Sequence, residues 1–169
     1  AGNSAEPYKT KASHAEGYKS KAGTATPSSY VEAPHAEGYY TTADGAGAHS
    51  EGYDSTANGK GAHSEGFNTT SDGEGAHSEG GNSIASGNYS HSEGYNANAS
   101  GYGAHAEGQE TIVSGAASHA GGLRSAATFI CAFAHGQDVT ADWGQAVFGR
   151  WNVISSTPFE LIVGCGTSS

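Results

Sequence analysis

The sequence predicts an all-β fold, a parallel β-roll (β-solenoid) coiled from 14-residue repeats. Three observations predict it. His35, His49, His63, His77, His91, His105 and His119 recur every 14 residues. Glu37, Glu51, Glu65, Glu79, Glu93 and Glu107 recur in the same register, two residues later. Small residues alternate with both, and alternation with period two is strand geometry. A repeat this regular dictates the architecture before any single residue does.

One turn is numbered here as slots 1 to 14 from Ala48. Slots 1, 3 and 5 hold Ala48, Ser50 and Gly52, and slots 2 and 4 hold His49 and Glu51. This reads as a strand with a tiny-residue face inward and a His/Glu face outward. The phase breaks at slots 6 and 7, an aromatic followed by a polar residue, as in Tyr53–Asp54. Slots 8, 10 and 12 resume the small series with Ser55, Ala57 and Gly59. Slots 11 and 12 are Asp-Gly, Asn-Gly or Ser-Gly, which are turn dipeptides. Each turn is therefore two short strands and two tight corners around a very thin interior. Helical repeats are excluded, because each of the two to four glycines per turn would cost about 1 kcal/mol against alanine. Stacked at about 4.8 Å per turn, the coil makes a rod.

The repeat extends to both ends with changes. SHAEGYKSKAG carries His14 and Glu16 ahead of His35 and Glu37, at one and a half times the regular spacing. An inserted loop is therefore expected at about 24–34. The stretch SAEPYKTKA, with Ser4 in the histidine slot, reads as a shortened turn. Beyond His119 the motif decays but keeps its length, which places Phe133 and Val147 in slot 2. The expected organisation is a repeat domain over 1–151 and a C-terminal strand or connector over 152–169.

Composition then limits how the rod is stabilised. Leu, Ile, Val and Phe number 18 of 169 residues, and only Val31, Phe67 and Ile84 precede residue 110. Most of the chain has no conventional apolar core, and Ala, Ser and Gly contribute little buried area. Partner chains are expected to supply the rest. The C-terminal third, with Phe129, Ile130, Phe133, Val147, Phe148, Trp143 and Trp151, is expected to be the most stable part. The net charge of −10 argues against nucleic acid as a partner, since phosphate binding needs Lys and Arg. No apolar run is long enough to cross a bilayer as a helix, so no membrane insertion of that kind is expected.

The pattern [A/S]-x-[A/S]-x-G-x-x-[S/T]-x-[A/S]-x-G-x-x resembles the head repeats of trimeric autotransporter adhesins. The wording AHSEG, SHAEG and ASGNYSHSEGY is similar to phage and prophage tail proteins that use the same roll. FELIVGCGTSS, from Phe159, resembles the segment leading into their C-terminal trimerising chaperone domain, which is often self-cleaving. The resemblance implies a left-handed roll, three chains about one axis, and an extracellular place on a virion tail fibre or a bacterial surface. Host attachment through a cell-surface glycan or protein is the implied role. In the adhesin heads slots 2 and 4 are usually Val and Ile facing the trimer axis. Here they are His and Glu, and the apolar pattern returns only at Phe133 and Val147.

The resemblance therefore implies an interface ladder of His14, Glu16, His35, Glu37, His49, Glu51, His63, Glu65, His77, Glu79, His91, Glu93, His105, Glu107, His119, Phe133 and Val147. A pair repeated seven times is not the unique constellation that catalysis uses. No enzyme activity and no cofactor are expected, and a glycan-cleaving fibre enzyme stands only as a rival reading. His and carboxylate columns on a three-fold axis also have metal-ligand chemistry. A hydrogen-bonded structural ladder, with no metal, is the expectation instead. Each Glu is expected to accept from a His of a neighbouring turn or subunit, which would raise the His pKa values. Tyr18, Tyr39, Tyr53, Phe67 and Tyr95 in slot 6 are expected to stack as a shield along one corner. The Thr42, Thr56, Thr70 and Thr140 column is broken by Ile84, Asn98 and Ile112, which disfavours an ice-binding array. Asp44 and Asp72 lack the repeated Asp of calcium-binding rolls. Cys131 and Cys165 match no metal spacing.

Overall fold

The alternation of tiny and larger residues forms the strands where the sequence places them. A computed structural model describes residues 10–23, 31–152 and 161–165. Among these residues there is no helix. Each turn contributes a five-residue strand, such as His63–Phe67, and a two-residue strand, such as Thr70–Ser71. The long strands form an 11-stranded parallel sheet that ends with Leu161–Cys165, and the short ones a nine-stranded parallel sheet. Register is set by slot, mostly between identical residues: His63 pairs His77, Ser64 pairs Ser78, and Thr70 pairs Thr56. The fold is a parallel β-solenoid in which one turn is one histidine-to-histidine interval of the sequence. The expected loop falls largely on 24–30, outside the described residues, as do 1–9, 153–160 and 166–169. Val31–Glu32 pairs in parallel with Thr10–Lys11.

The interior is as thin as the slots require. Slots 1, 3, 8, 10 and 12 are buried throughout the central turns. Between Ser50 and Ser78 the core is largely hydroxylic and internally bonded. Ser64 and Thr69 hydroxyls lie 2.9 Å apart, Ser71 and Ser78 2.7 Å apart, and Ser50 donates to the Ser55 carbonyl at 2.8 Å. Buried polar groups are tolerated because they are paired. Towards the C-terminus the same slots fill with Ala99, Ala106, Val113, Ala120, Ala127, Ala134, Val139 and Val147.

Three expectations are corrected. First, slot 5 glycines do not line the interior. Gly52, Gly66 and Gly94 lie at the surface with φ of +103°, +110° and +112°. A Cβ on Gly66 would collide with the carbonyl oxygen of Gly80 in the next turn. Glycine is required here by backbone conformation and stacking distance, not by core thickness. Second, Val147 is not in slot 2. The corner at Asp142–Gln145 is one residue shorter, so Ala146 pairs Phe133 and Val147 pairs Ala134. Val147 is a core residue, and Gln145 fills the buried slot 1, its backbone N–H donating to the Asp142 carbonyl at 2.8 Å. Third, the C-terminal apolar residues are mostly not core. Phe129, Ile130, Trp143 and Phe148 are exposed, and among the described residues only three valines are fully buried.

The corners carry their own ladders. In slot 7, Asp54, Asn68, Asn82, Asn96, Glu110, Arg124 and Asp138 all adopt positive φ. Asn68 Nδ2 donates to Asn82 Oδ1 at 2.8 Å. Arg124 donates twice to Asp138, and Trp151 Nε1 donates to the same carboxylate at 2.9 Å. The Arg124 guanidinium holds the Asp138 carboxyl below its ordinary range.

Slot 5 gives a direct test. Gly66→Ala places a Cβ against fixed backbone at φ +110°, whereas Gly61→Ala, at φ +64°, meets open space. Gly61→Ala should cost about 1 kcal/mol, the left-handed penalty alone. Gly66→Ala should cost several-fold more, or abolish folding. Thermal melting of both variants checks the order.

Candidate functional site: the histidine and glutamate face

The long strands point slots 2 and 4 out of one face of the sheet, and in-register stacking turns each slot into a column. Histidine ring centroids follow one another at 4.7 to 4.9 Å from His14 to His119, and Phe133 continues the column at 4.9 Å. From His35 to His105 the rings are within 4° of parallel. Every expected ladder residue except Val147 sits on this face. The glutamates run beside the histidines. Nε2 of His49, His63 and His77 lies 3.6, 3.5 and 3.9 Å from the carboxylate two residues on. Farther along the rod the pairing shifts by a turn: His105 faces Glu93 at 3.7 Å and His119 faces Glu107 at 3.4 Å.

These contacts are ion-pair distances and not the expected hydrogen bonds. Nε2 of His49, His63, His77, His91, His105 and His119 is shielded from solvent and has no hydrogen-bond partner within the chain. The pKa directions follow, and within one chain they are downward, whereas the expectation of raised values concerns histidines that meet glutamates of a neighbouring chain in a trimer. Burial, and then the charge of neighbouring histidines, pushes His49, His77, His91 and His119 below the ordinary value. The nearby carboxylates oppose this but do not win. Stacking imidazoles at 4.8 Å makes each a like-charge neighbour of the next, an effect absent from any single His–Glu pair.

The glutamate column divides protons unequally. Hydrogen bonds to Glu93 and Glu65 hold Glu79 below the usual carboxylate range. Burial and a bond to Glu79 push Glu65 up, and a second bond to Glu79, together with burial, pushes Glu93 up. A shallow groove runs along the column, lined by Glu51, Glu65, Glu79 and the slot 5 glycines beside them.

The column changes character towards the C-terminus. Slot 2 runs His119, Phe133, Ala146, Leu161, and slot 4 runs Glu107, Gly121, His135, Phe148, Val163. Phe148, Leu161 and Val163 are 40%, 66% and 77% exposed in the single chain. Sequence reasoning misses His135, because it stands in a glutamate slot and breaks the repeat. The gap that Gly121 leaves one turn earlier is the available signal.

On the other corner, four of the five expected slot 6 rings stack, Tyr18, Tyr39, Tyr53 and Phe67 at 4.9 to 5.1 Å, and Tyr95 stands apart from them beyond Gly81. The stack stops at Gly81. No helix among the described residues is long and apolar enough to cross a membrane. The chain matches no protein-family model and no curated protein sequence.

The lowered histidine values fix a sign for pH. A histidine held below its unfolded value near 6.5 binds fewer protons folded than unfolded just below that pH. Its neutral form is favoured by folding, so stability is full above about pH 6.5 and falls as pH drops towards the folded values. For chains whose histidine columns meet no other subunit, the melting temperature should therefore rise between about pH 5.5 and 7.5, and His91→Gln should flatten the rise. A maximum in mild acid would contradict this.

Proposed function

We propose that this chain is one subunit of a homotrimeric, left-handed β-roll that forms the shaft of an extracellular fibre, of the kind carried on phage or prophage tails. It acts as a stiff spacer in attachment to a host surface. Its partners are two further copies of itself and a host cell-surface glycan or protein. No catalysis, nucleic-acid binding or membrane insertion is assigned to it.

One observation carries the reading. The His/Glu face runs in register into exposed Phe148, Leu161 and Val163, along the full length of the long sheet. A single chain leaves these apolar side chains in water and leaves the ladder Nε2 atoms without partners. Burying one such face from each of three chains against a common axis removes the apolar area from water, which is the main driving force for association. It also brings each histidine column within reach of a neighbour's glutamates. The remaining surface, with its short strands and stacked aromatic corner, stays outside and is free to meet other molecules.

The thin core supports the mechanical role. Parallel in-register stacking puts backbone hydrogen bonds along the rod axis at every turn, as from Thr70 N–H to the Ser83 carbonyl and Ile84 N–H to the Ala97 carbonyl. Such a rod resists bending without needing bulk.

Sedimentation velocity tests the reading. The expected species has three times the 16.9 kDa chain mass and an elongated shape. Phe148→Asp combined with Val163→Asp should shift it to smaller species while leaving the β-rich circular dichroism in place. A well-folded wild-type monomer at micromolar concentration would refute the proposal.

A further inference from the structure

One place on the ladder face does not repeat. At slot 4 of the turn after Glu107 the chain has Gly121, and the following turn has His135 in the same column. The missing side chain is compensated from both sides. A Cβ on Gly121 would lie 2.5 Å from His135 Nδ1 and 2.7 Å from Glu107 Oε1. Gly121 is buried by these two groups although it stands on an outward-facing slot. Its φ is outside the left-handed range, so the backbone does not call for glycine; the space above it does.

Three donors meet over that gap. Glu107 Oε1 lies 3.4 Å from His119 Nε2 and 3.7 Å from His135 Nδ1. One ligand atom from each of the three lies within 4.8 Å of the other two. For metal bonds of about 2.0–2.1 Å at a tetrahedral angle, ligand atoms sit about 3.4 Å apart, so the constellation needs only a small adjustment. His119 Nε2 is shielded from solvent and makes no hydrogen bond within the chain. On the far side the Phe133 ring packs on His119, at 4.9 Å between centroids, and walls the site with hydrocarbon.

We propose that Glu107, His119 and His135 form a binding site for one divalent transition-metal ion per chain, of the zinc class. Two imidazoles and a carboxylate suit a borderline cation and not calcium or magnesium, which prefer all-oxygen shells. The site lies where the polar ladder gives way to the apolar end, so an ion there would tie three successive turns together at the seam. Other groupings exist along the ladder, such as His63, Glu65 and His77. Those lie between full columns of like residues, and none has a glycine cradle.

Calorimetric titration of the metal-stripped full chain with Zn²⁺ tests this, with Co²⁺ absorption as a second readout. One saturable ion per chain is expected, with a raised melting temperature and a Co²⁺ spectrum of low coordination number. His135→Ala should weaken binding by more than about tenfold. Gly121→Ala should fold normally and weaken binding as well, because its Cβ holds Glu107 and His135 apart. Glu74→Gln, at an exposed corner outside the ladder, should leave binding unchanged. Absence of saturable uptake would overturn the proposal. So would uptake indifferent to both His135→Ala and Gly121→Ala, or one ion shared among three chains.

Discussion

Everything in this molecule depends on the distance between one turn and the next. Successive backbones are held at the parallel-sheet spacing, and the ring columns report it directly at 4.7 to 4.8 Å. At that spacing each residue has its own counterpart one turn on as a nearest neighbour. The properties of a slot are therefore collective. Identical histidines stack as parallel rings, identical glutamates share protons unequally, and asparagines bond amide to amide. The same spacing admits only glycine at slot 5, where any side chain would strike the carbonyl of the next turn.

The second constraint is cross-section. With alanine and serine facing each other, one chain buries little apolar surface, and part of what it buries is hydroxyl paired with hydroxyl. The backbone ladder compensates, since it satisfies donors and acceptors turn after turn. The exposed apolar end and the unpaired imidazole nitrogens are what such a chain retains for association. The proposed trimer and the proposed metal site draw on different parts of one face, the first on Phe148, Leu161 and Val163, the second on the break at Gly121.

Most of the architecture is legible in the sequence because a repeat states its own register. The strands at His49–Tyr53 and Thr56–Ala57, the corner dipeptides and the stacked slot 6 rings follow from counting along the repeat. Sequence and structure part where counting and physics part. Val147 is displaced by a one-residue deletion at the Asp142–Gln145 corner that no local motif announces. Slot 5 glycine resembles core filler because alternation cannot distinguish a small inward residue from one forced to φ above +100°, as at Gly66. The C-terminal phenylalanines and tryptophans resemble core because hydrophobicity carries no direction, whereas the fully buried side chains among the described residues are no larger than valine apart from Gln145. The histidine pKa direction depends first on burial and then on the neighbouring histidines, and a single exposed His–Glu pair contains neither.

The central claim is that each repeat advances the chain by one sheet spacing. Spin labels on the outward threonine column measure it. With Cys131 and Cys165 replaced by serine, pairs at Thr70 and Thr140, Thr56 and Thr140, and Thr42 and Thr140 span five, six and seven turns. Dilution into unlabelled chain isolates distances within one chain. Dipolar spectroscopy should give separations of about 24, 29 and 34 Å, rising by about 4.8 Å per turn. Separations that do not increase evenly with the number of turns would contradict the account.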